Sequence, residues 1–280
     1  MREIKAIDIK NAVKALFISL NCEIGDDITN ALKKALSEEE SDTAKAVLTQ
    51  LLENNTVAKE EQIPICQDTG MAVLFVEYGD KVIIDGDFEE AINQGVKEAY
   101  TDGYLRKSVV DDPVFDRKNT NDNTPAVIHT RIVSGETLRI TAGCKGFGSE
   151  NMSKTKMLSP SAGVEGVKNF VLETVKTAGP NPCPPIVVGV GIGGTFEQAA
   201  VMSKKATFRS VNSENENARY AELERELQSI INNMNIGPAG LGGKTSALKV
   251  NIEYAPTHIA SIPVAVNICC HACRHKSIEL

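Results

Sequence analysis

Three cysteines stand where thiolate chemistry would need them. Cys66 lies in IPICQDTG, Cys183 in GPNPCPP and Cys270 in NICCHACRH. Glycine, proline and polar neighbours mark all three as turn residues rather than strand interiors. They are so far apart in the chain that any site using all three must be assembled by the whole fold. Thiolates suit zinc or an iron–sulfur cluster, and three ligands on a four-position centre leave one position for a substrate. The chain has seven cysteines, and an odd number in a reducing compartment points to ligation before disulfides. The competing role of an isolated cysteine is a small buried hydrophobe. That role suits Cys22, beside a helical segment, while composition leaves Cys144 undecided. A local alternative exists at the C-terminus, where Cys270 and Cys273 with His271 and His275 could hold zinc. Against it, no second ligand pair follows at a defined spacing.

Two glycine-rich stretches invite a phosphate-binding reading. Gly189–Gly194 matches GxGxxG after a strand-like run, but the segment leading to its expected acidic partner, AAVMSKKATF, reads as helix. A tight strand-to-helix turn explains it more simply, with an anion-facing loop as a third reading. Gly237–Thr245 resembles a Walker A loop, yet Pro238 stands where its first glycine is required and a helix precedes it. That excludes the ATPase reading and leaves a glycine-rich turn carrying Lys244.

The elements that must position these residues follow from periodicity. The first sixty residues read as helical: Ile28, Leu32, Ala35 and Leu36 share one face, as do Ala44, Val47, Leu48, Leu51 and Leu52. Ala72–Tyr78 is a short apolar strand, Phe88–Tyr100 a helix, and Thr101–Thr124 a long polar loop. Alternation over Ala126–Val133 and Thr137–Ala142 around Ser134–Gly135–Glu136 predicts a β-hairpin. Ser159–Pro160 opens a helix to about Thr177. Pro185–Val190, Ser246–Tyr254 and Ile259–Ile268 read as strands, Phe196–Phe208 and Asn217–Met234 as helices. The order predicts an α+β fold, with helices surrounding mainly antiparallel sheets. No linker or repeat divides residues 1–280. The expectation is a single domain with a helical segment over 1–60 and a cluster-binding catalytic core over 61–280.

Composition narrows the function classes. In 280 residues, 30 Lys and Arg face 37 Asp and Glu, a net charge of −7, which argues against a nucleic-acid binder or a membrane-surface protein. There is no Trp and aromatics are 5%, so no stacking platform is expected. No apolar run approaches a membrane span or a secretory signal, and a cytoplasmic location is expected.

Several motifs occur together and in order: CQDTG at 66–70, GYLRKS at 103–108, KGFGSENMS at 145–153, NPCPP at 181–185, GIGGT at 191–195, GPAGLGGKT at 237–245 and HIASIPVAVNICCHACRH at 258–275. As a set, covering residue 60 to the C-terminus, they resemble the iron–sulfur-dependent hydro-lyases: the α subunit or N-terminal half of class I fumarate hydratase and L(+)-tartrate dehydratase. The resemblance implies an iron–sulfur hydro-lyase α-type domain with a [4Fe–4S] cluster on Cys66, Cys183 and Cys270. The fourth iron would be a Lewis acid for reversible hydration of fumarate to malate. It also implies Asp68 and His258 as catalytic residues. Gln67, Arg106 and Gly148 would bind the dicarboxylate, a guanidinium fork suiting that task. Phe147 stands where many relatives have glycine. Cys269 and Cys273 flank the third ligand at positions that the family does not require.

The chain ends at Leu280, soon after the last motif. The resemblance therefore implies the α subunit of a two-chain enzyme, an (αβ)₂ assembly whose β subunit carries the rest of the active site. L(+)-tartrate is the alternative substrate. Two other classes remain as contrasts: a non-catalytic zinc- or iron-binding regulatory module using only the C-terminal cysteines, and a nucleotide-dependent oxidoreductase built on Gly189–Gly194. Neither explains CQDTG or KGFGSENMS.

Overall fold

A computed structural model describes residues 1–280, as two compact units. The elements in chain order are β1 (Arg2–Lys5), α1 (Ala6–Cys22), α2 (Asp26–Glu38), α3 (Asp42–Glu61), β2 (Met71–Gly79), β3 (Val82–Asp85), α4 (Phe88–Asp102), β4 (Val127–Val133), β5 (Leu138–Lys145), the one-turn α5 (Phe147–Glu150), β6 (Lys154–Leu158), α6 (Gly163–Ala178), β7 (Ile186–Gly194), α7 (Phe196–Thr207), α8 (Ala218–Asn232), β8 (Ala247–Thr257), β9 (Ile262–Cys269) and β10 (Arg274–Glu279). No helix is long and apolar enough to cross a membrane.

The first unit comprises Met1–Gly25, Asn55–Gly146 and Arg274–Leu280. Its four-stranded sheet has the order β10-β5-β2-β4. The even-numbered residues of β2, from Ala72 to Tyr78, face α1 and α4 and build the core with Leu138, Ile140 and Ala142 of β5. In α1, Ile9, Val13, Leu16, Phe17 and Leu20 recur at helical spacing and are buried. Asp87 caps α4 by accepting from the Glu90 N–H at 2.9 Å. The two helices meet at Gly95, where a Cβ would lie 2.7 Å from the Lys10 carbonyl oxygen.

The second unit comprises Asp26–Asn54 and Phe147–Cys273. Its sheet order is β6-β9-β7-β8. One face is fully apolar: Ile186, Val188 and Val190 of β7, with Val250, Ile252, Val264, Val266 and Ile268, pack under α6 and α8. On the other face Gly189 and Gly191 let α7 lie directly on the strand. A Cβ at Gly189 or Gly191 would sit 2.1 Å from the carbonyl oxygen of Ser203 or Ala199. Gly193 and Gly194 then turn the chain with φ of 87° and 67° into the start of α7. The GxGxxG spacing is thereby explained by helix-on-strand packing and a tight turn.

Two expectations are corrected. The sheets are mixed rather than mainly antiparallel: β1–β3, β2–β4 and β7–β8 are parallel pairs. The hairpin over 126–142 does not form, because β2 lies between β4 and β5. Val73, Leu74, Phe75 and Val76 are all buried, so β2 needs cover on both faces and takes a central place. The 134–137 turn instead wraps the end of β2. There the Gly79, Asp80 and Lys81 amides donate to the Thr137, Val133 and Gly135 carbonyls. Alternation shows which residues share a face, but not which strand is the neighbour.

Candidate active site

In the first unit, the CQDTG turn leads into the central strand. Gly70 has φ +72°, and a Cβ there would lie 2.8 Å from the Lys145 backbone, so the turn presses onto the end of β5. Asp68 closes an Asx-turn, its Oδ1 accepting from the Gly70 N–H at 2.9 Å. Its Oδ2 faces Gly146, where a Cβ would approach to 3.1 Å. Cys66 and Asp68 are half-buried and Gln67 is exposed.

Buried side chains hold this turn from beneath. Tyr100 Oη lies within donating distance of the Thr69 and Gly70 carbonyls, at 2.9 and 2.8 Å. Arg274, only 2% exposed, donates from Nη2 to the Asp68 carbonyl and from Nη1 to Asn21 Oδ1, both at 2.9 Å. Asn21 also donates to Cys144 Sγ at 3.1 Å. Burial pushes the Tyr100 hydroxyl and the Cys144 thiol above their ordinary pKa values. Cys144 is thus a packed strand residue beneath the turn.

The GYLRKS segment is tied to the same turn. Thr69 Oγ1 donates to the Arg106 carbonyl at 2.9 Å, bringing Arg106 into the neighbourhood of Asp68. The Arg106 side chain is exposed and takes part in no ion pair. A guanidinium so placed is available to a carboxylate ligand.

In the second unit, Cys183 and Cys270 come together at one end of the sheet. Cys183 precedes β7 and Cys270 follows β9, and Val187 pairs with Cys269 across the antiparallel ladder. The His271 N–H donates to the Cys183 carbonyl at 3.3 Å. Cys183 adopts φ +53°. The glycine-rich 237–245 turn backs this segment: the Ala239 N–H donates to the Pro184 carbonyl at 2.8 Å, and a Cβ on Gly240 would meet Pro180 at 2.2 Å. Lys244 of that turn pairs with Glu40, itself in this unit. Gly148, on α5, is exposed, with the Asn181 carbonyl 3.9 Å from where its Cβ would be. The same end of the unit therefore carries Gly148, Cys183 and Cys270.

The donor set fits an iron–sulfur cluster. No cysteine is in a disulfide, and Cys66, Cys183 and Cys270 are exposed or half-buried. The other four are at most 3% exposed, and Cys273 Sγ donates to the Thr207 carbonyl at 3.2 Å. Within neither unit do three His, Cys, Asp or Glu side chains converge on one metal ion.

The fumarate hydratase (Fumerase) family model matches residues 10–279, nearly the whole chain. The chain belongs to the fumarate hydratase family. It is an enzyme of the hydro-lyase class. Among proteins similar to this family member is the "Putative L(+)-tartrate dehydratase subunit alpha" of Methanocaldococcus jannaschii, 42% identical over 279 residues, covering 97% of this chain and 98% of that one. L(+)-tartrate dehydratase subunit alpha of Escherichia coli K12 is 36% identical over 263 residues, 92% of this chain and 86% of that one.

This fumarase-family chain places His258 away from the other second-unit candidates. His258 follows Thr257, which pairs with Gly194 at the far end of β7 from Cys183. The nine residues of β7 put those ends about 26 Å apart. His258 is exposed at a turn tip, its Nδ1 accepting from the Ala260 N–H at 3.2 Å. Sequence reasoning missed Thr69, Tyr100, Asn123 and Arg274, which position the turn. Asn123 falls in the polar loop over Thr101–Thr124 and Arg274 inside the motif at 258–275, and nothing local marked either as a clamp.

Proposed function

We propose that this chain is the α subunit of a two-chain [4Fe–4S] hydro-lyase that interconverts fumarate and (S)-malate in the cytoplasm. Cys66, Cys183 and Cys270 would hold the cluster. When bound, it supplies an iron without a protein ligand, a Lewis acid toward the substrate's hydroxyl and carboxylate oxygens. Arg106 binds a substrate carboxylate through its guanidinium fork, and Gln67 and Gly148 contact the substrate. Asp68, oriented by the bond from the Gly70 N–H to Oδ1, holds or transfers a proton at its carboxylate. His258 can act on the same reaction only where an assembly carries it to a second chain's site. A β subunit supplies the remaining groups, in an (αβ)₂ complex.

The observation that supports the reading is the bond from Thr69 to the Arg106 carbonyl, which holds the Arg106 backbone beside the CQDTG turn. A second reading, L(+)-tartrate dehydration, is favoured by the names of the similar α subunits. Turnover of the reconstituted complex with (S)-malate and with L(+)-tartrate separates them. Faster malate turnover supports fumarate hydration, and faster tartrate turnover replaces it.

A further inference from the structure

We propose that Asn123 and Thr69 are positioning residues that fix Arg106 relative to the Cys66–Gly70 turn and so align the dicarboxylate; this rests on the carboxylate-binding role given to Arg106 above. Between α4 and β4 the chain runs from Gly103 to Ala126 without a helix or strand of its own, apart from one isolated bridge between Val110 and Asn119. A loop of that length samples many conformations unless its backbone is tied down. Arg106 is exposed within it, so the anchoring of its backbone decides where the guanidinium sits.

The anchors bracket Arg106. On one side Thr69, 1% exposed, donates from Oγ1 to the Arg106 carbonyl. On the other, Asn123 Oδ1 accepts from the Ser108 and Val109 N–H groups at 2.7 and 3.2 Å. The same Asn123 amide donates from Nδ2 to the Gly70 carbonyl at 3.1 Å. Asn123 is completely buried and sits at φ +63°, a conformation that asparagine tolerates better than most residues. One side chain thus joins the residue two after Asp68 to the residues two and three after Arg106. Aspartate at position 123 would keep the acceptor and lose the donor. Valine at position 69 would keep the shape and lose the hydroxyl.

The test is a double-mutant cycle on the full α chain with its β subunit and reconstituted cluster. It measures kcat and KM for (S)-malate and L(+)-tartrate in Thr69→Val, Asn123→Asp, Arg106→Ala and the combinations. Each positioning variant is expected to lower kcat/KM by about tenfold to a hundredfold, mainly through KM, with iron content unchanged. On an Arg106→Ala background each should cost less than about twofold more, because the lost alignment has nothing left to align. Losses that multiply with an impaired Arg106→Ala overturn the inference alone. Arg106→Ala at wild-type kcat/KM overturns both the inference and the role of Arg106, as does turnover of neither acid. Should Asn123→Asp fail to fold, the near-isosteric Thr69→Val carries the cycle.

Discussion

The two units position their candidate residues by different means. In the first, the Cys66–Gly70 turn and Arg106 are held by buried side chains: Tyr100 and Arg274 beneath, Thr69 and Asn123 alongside. In the second, Cys183 and Cys270 are placed by backbone contacts at the ends of paired strands, backed by a glycine-rich turn. Side-chain clamps are specific, but each is lost to one substitution. A backbone frame tolerates side-chain truncation and fails where a glycine gains a side chain.

The largest effect expected from this contrast is at Gly191. Its Cβ would meet the Ala199 carbonyl oxygen at 2.1 Å, and Gly191→Val should destabilise the second unit by more than about 4 kcal/mol. Urea unfolding checks this, and a wild-type midpoint would remove the proposed helix-on-strand constraint. Next is Arg274→Met in the first unit, expected to cost about 3 kcal/mol by stranding Asn21 and the Asp68 carbonyl. A loss under 1 kcal/mol would show that the clamp contributes little.

Tyr100→Phe should cost about 1–2 kcal/mol at neutral pH, and pH sharpens the contrast. Tyr100 and Cys144 have raised folded-state values, so they retain protons that the unfolded chain releases. The first unit's stability is complete below pH 9 and falls as pH rises past the ordinary cysteine and tyrosine values of 9.0 and 10.0. In the second unit, Lys249 is shifted downward by burial, so the unfolded chain holds its proton longer. That contribution increases with pH as the ordinary lysine value of 10.5 is approached. Amide exchange in the first unit should show that alkaline loss of protection, and Tyr100→Phe should flatten it. The smallest effect is expected for His258→Ala: exposed at its turn, it should change stability by less than about 0.5 kcal/mol and leave iron content unchanged.

What was legible in the sequence depended on contact range. The glycine, proline or polar neighbours of Cys66, Cys183 and Cys270 predicted positions outside regular elements, and none of the three lies in a helix or strand. The apolar run of β2 and the helices α4, α7 and α8 followed from local periodicity. The clamps were illegible because they span the chain: 53 residues separate Asn123 from Gly70, and 206 separate Arg274 from Asp68. The hairpin failed for the same reason, since nothing local says that β2 will insert between β4 and β5. The separation of His258 from Cys270, twelve residues on, comes from β9 running the length of its sheet between them.

The most direct test of the central claim is iron and acid-labile sulfide per chain after anaerobic reconstitution. It compares wild type with Cys66→Ser, Cys183→Ser, Cys270→Ser and, as control, Cys273→Ser. About four irons and four sulfides are expected in wild type and in Cys273→Ser, and loss of the cluster in each of the other three. Zinc in place of iron, retained in Cys66→Ser and Cys183→Ser but lost with Cys270 or Cys273, would contradict this and assign the metal to the C-terminal cysteines alone.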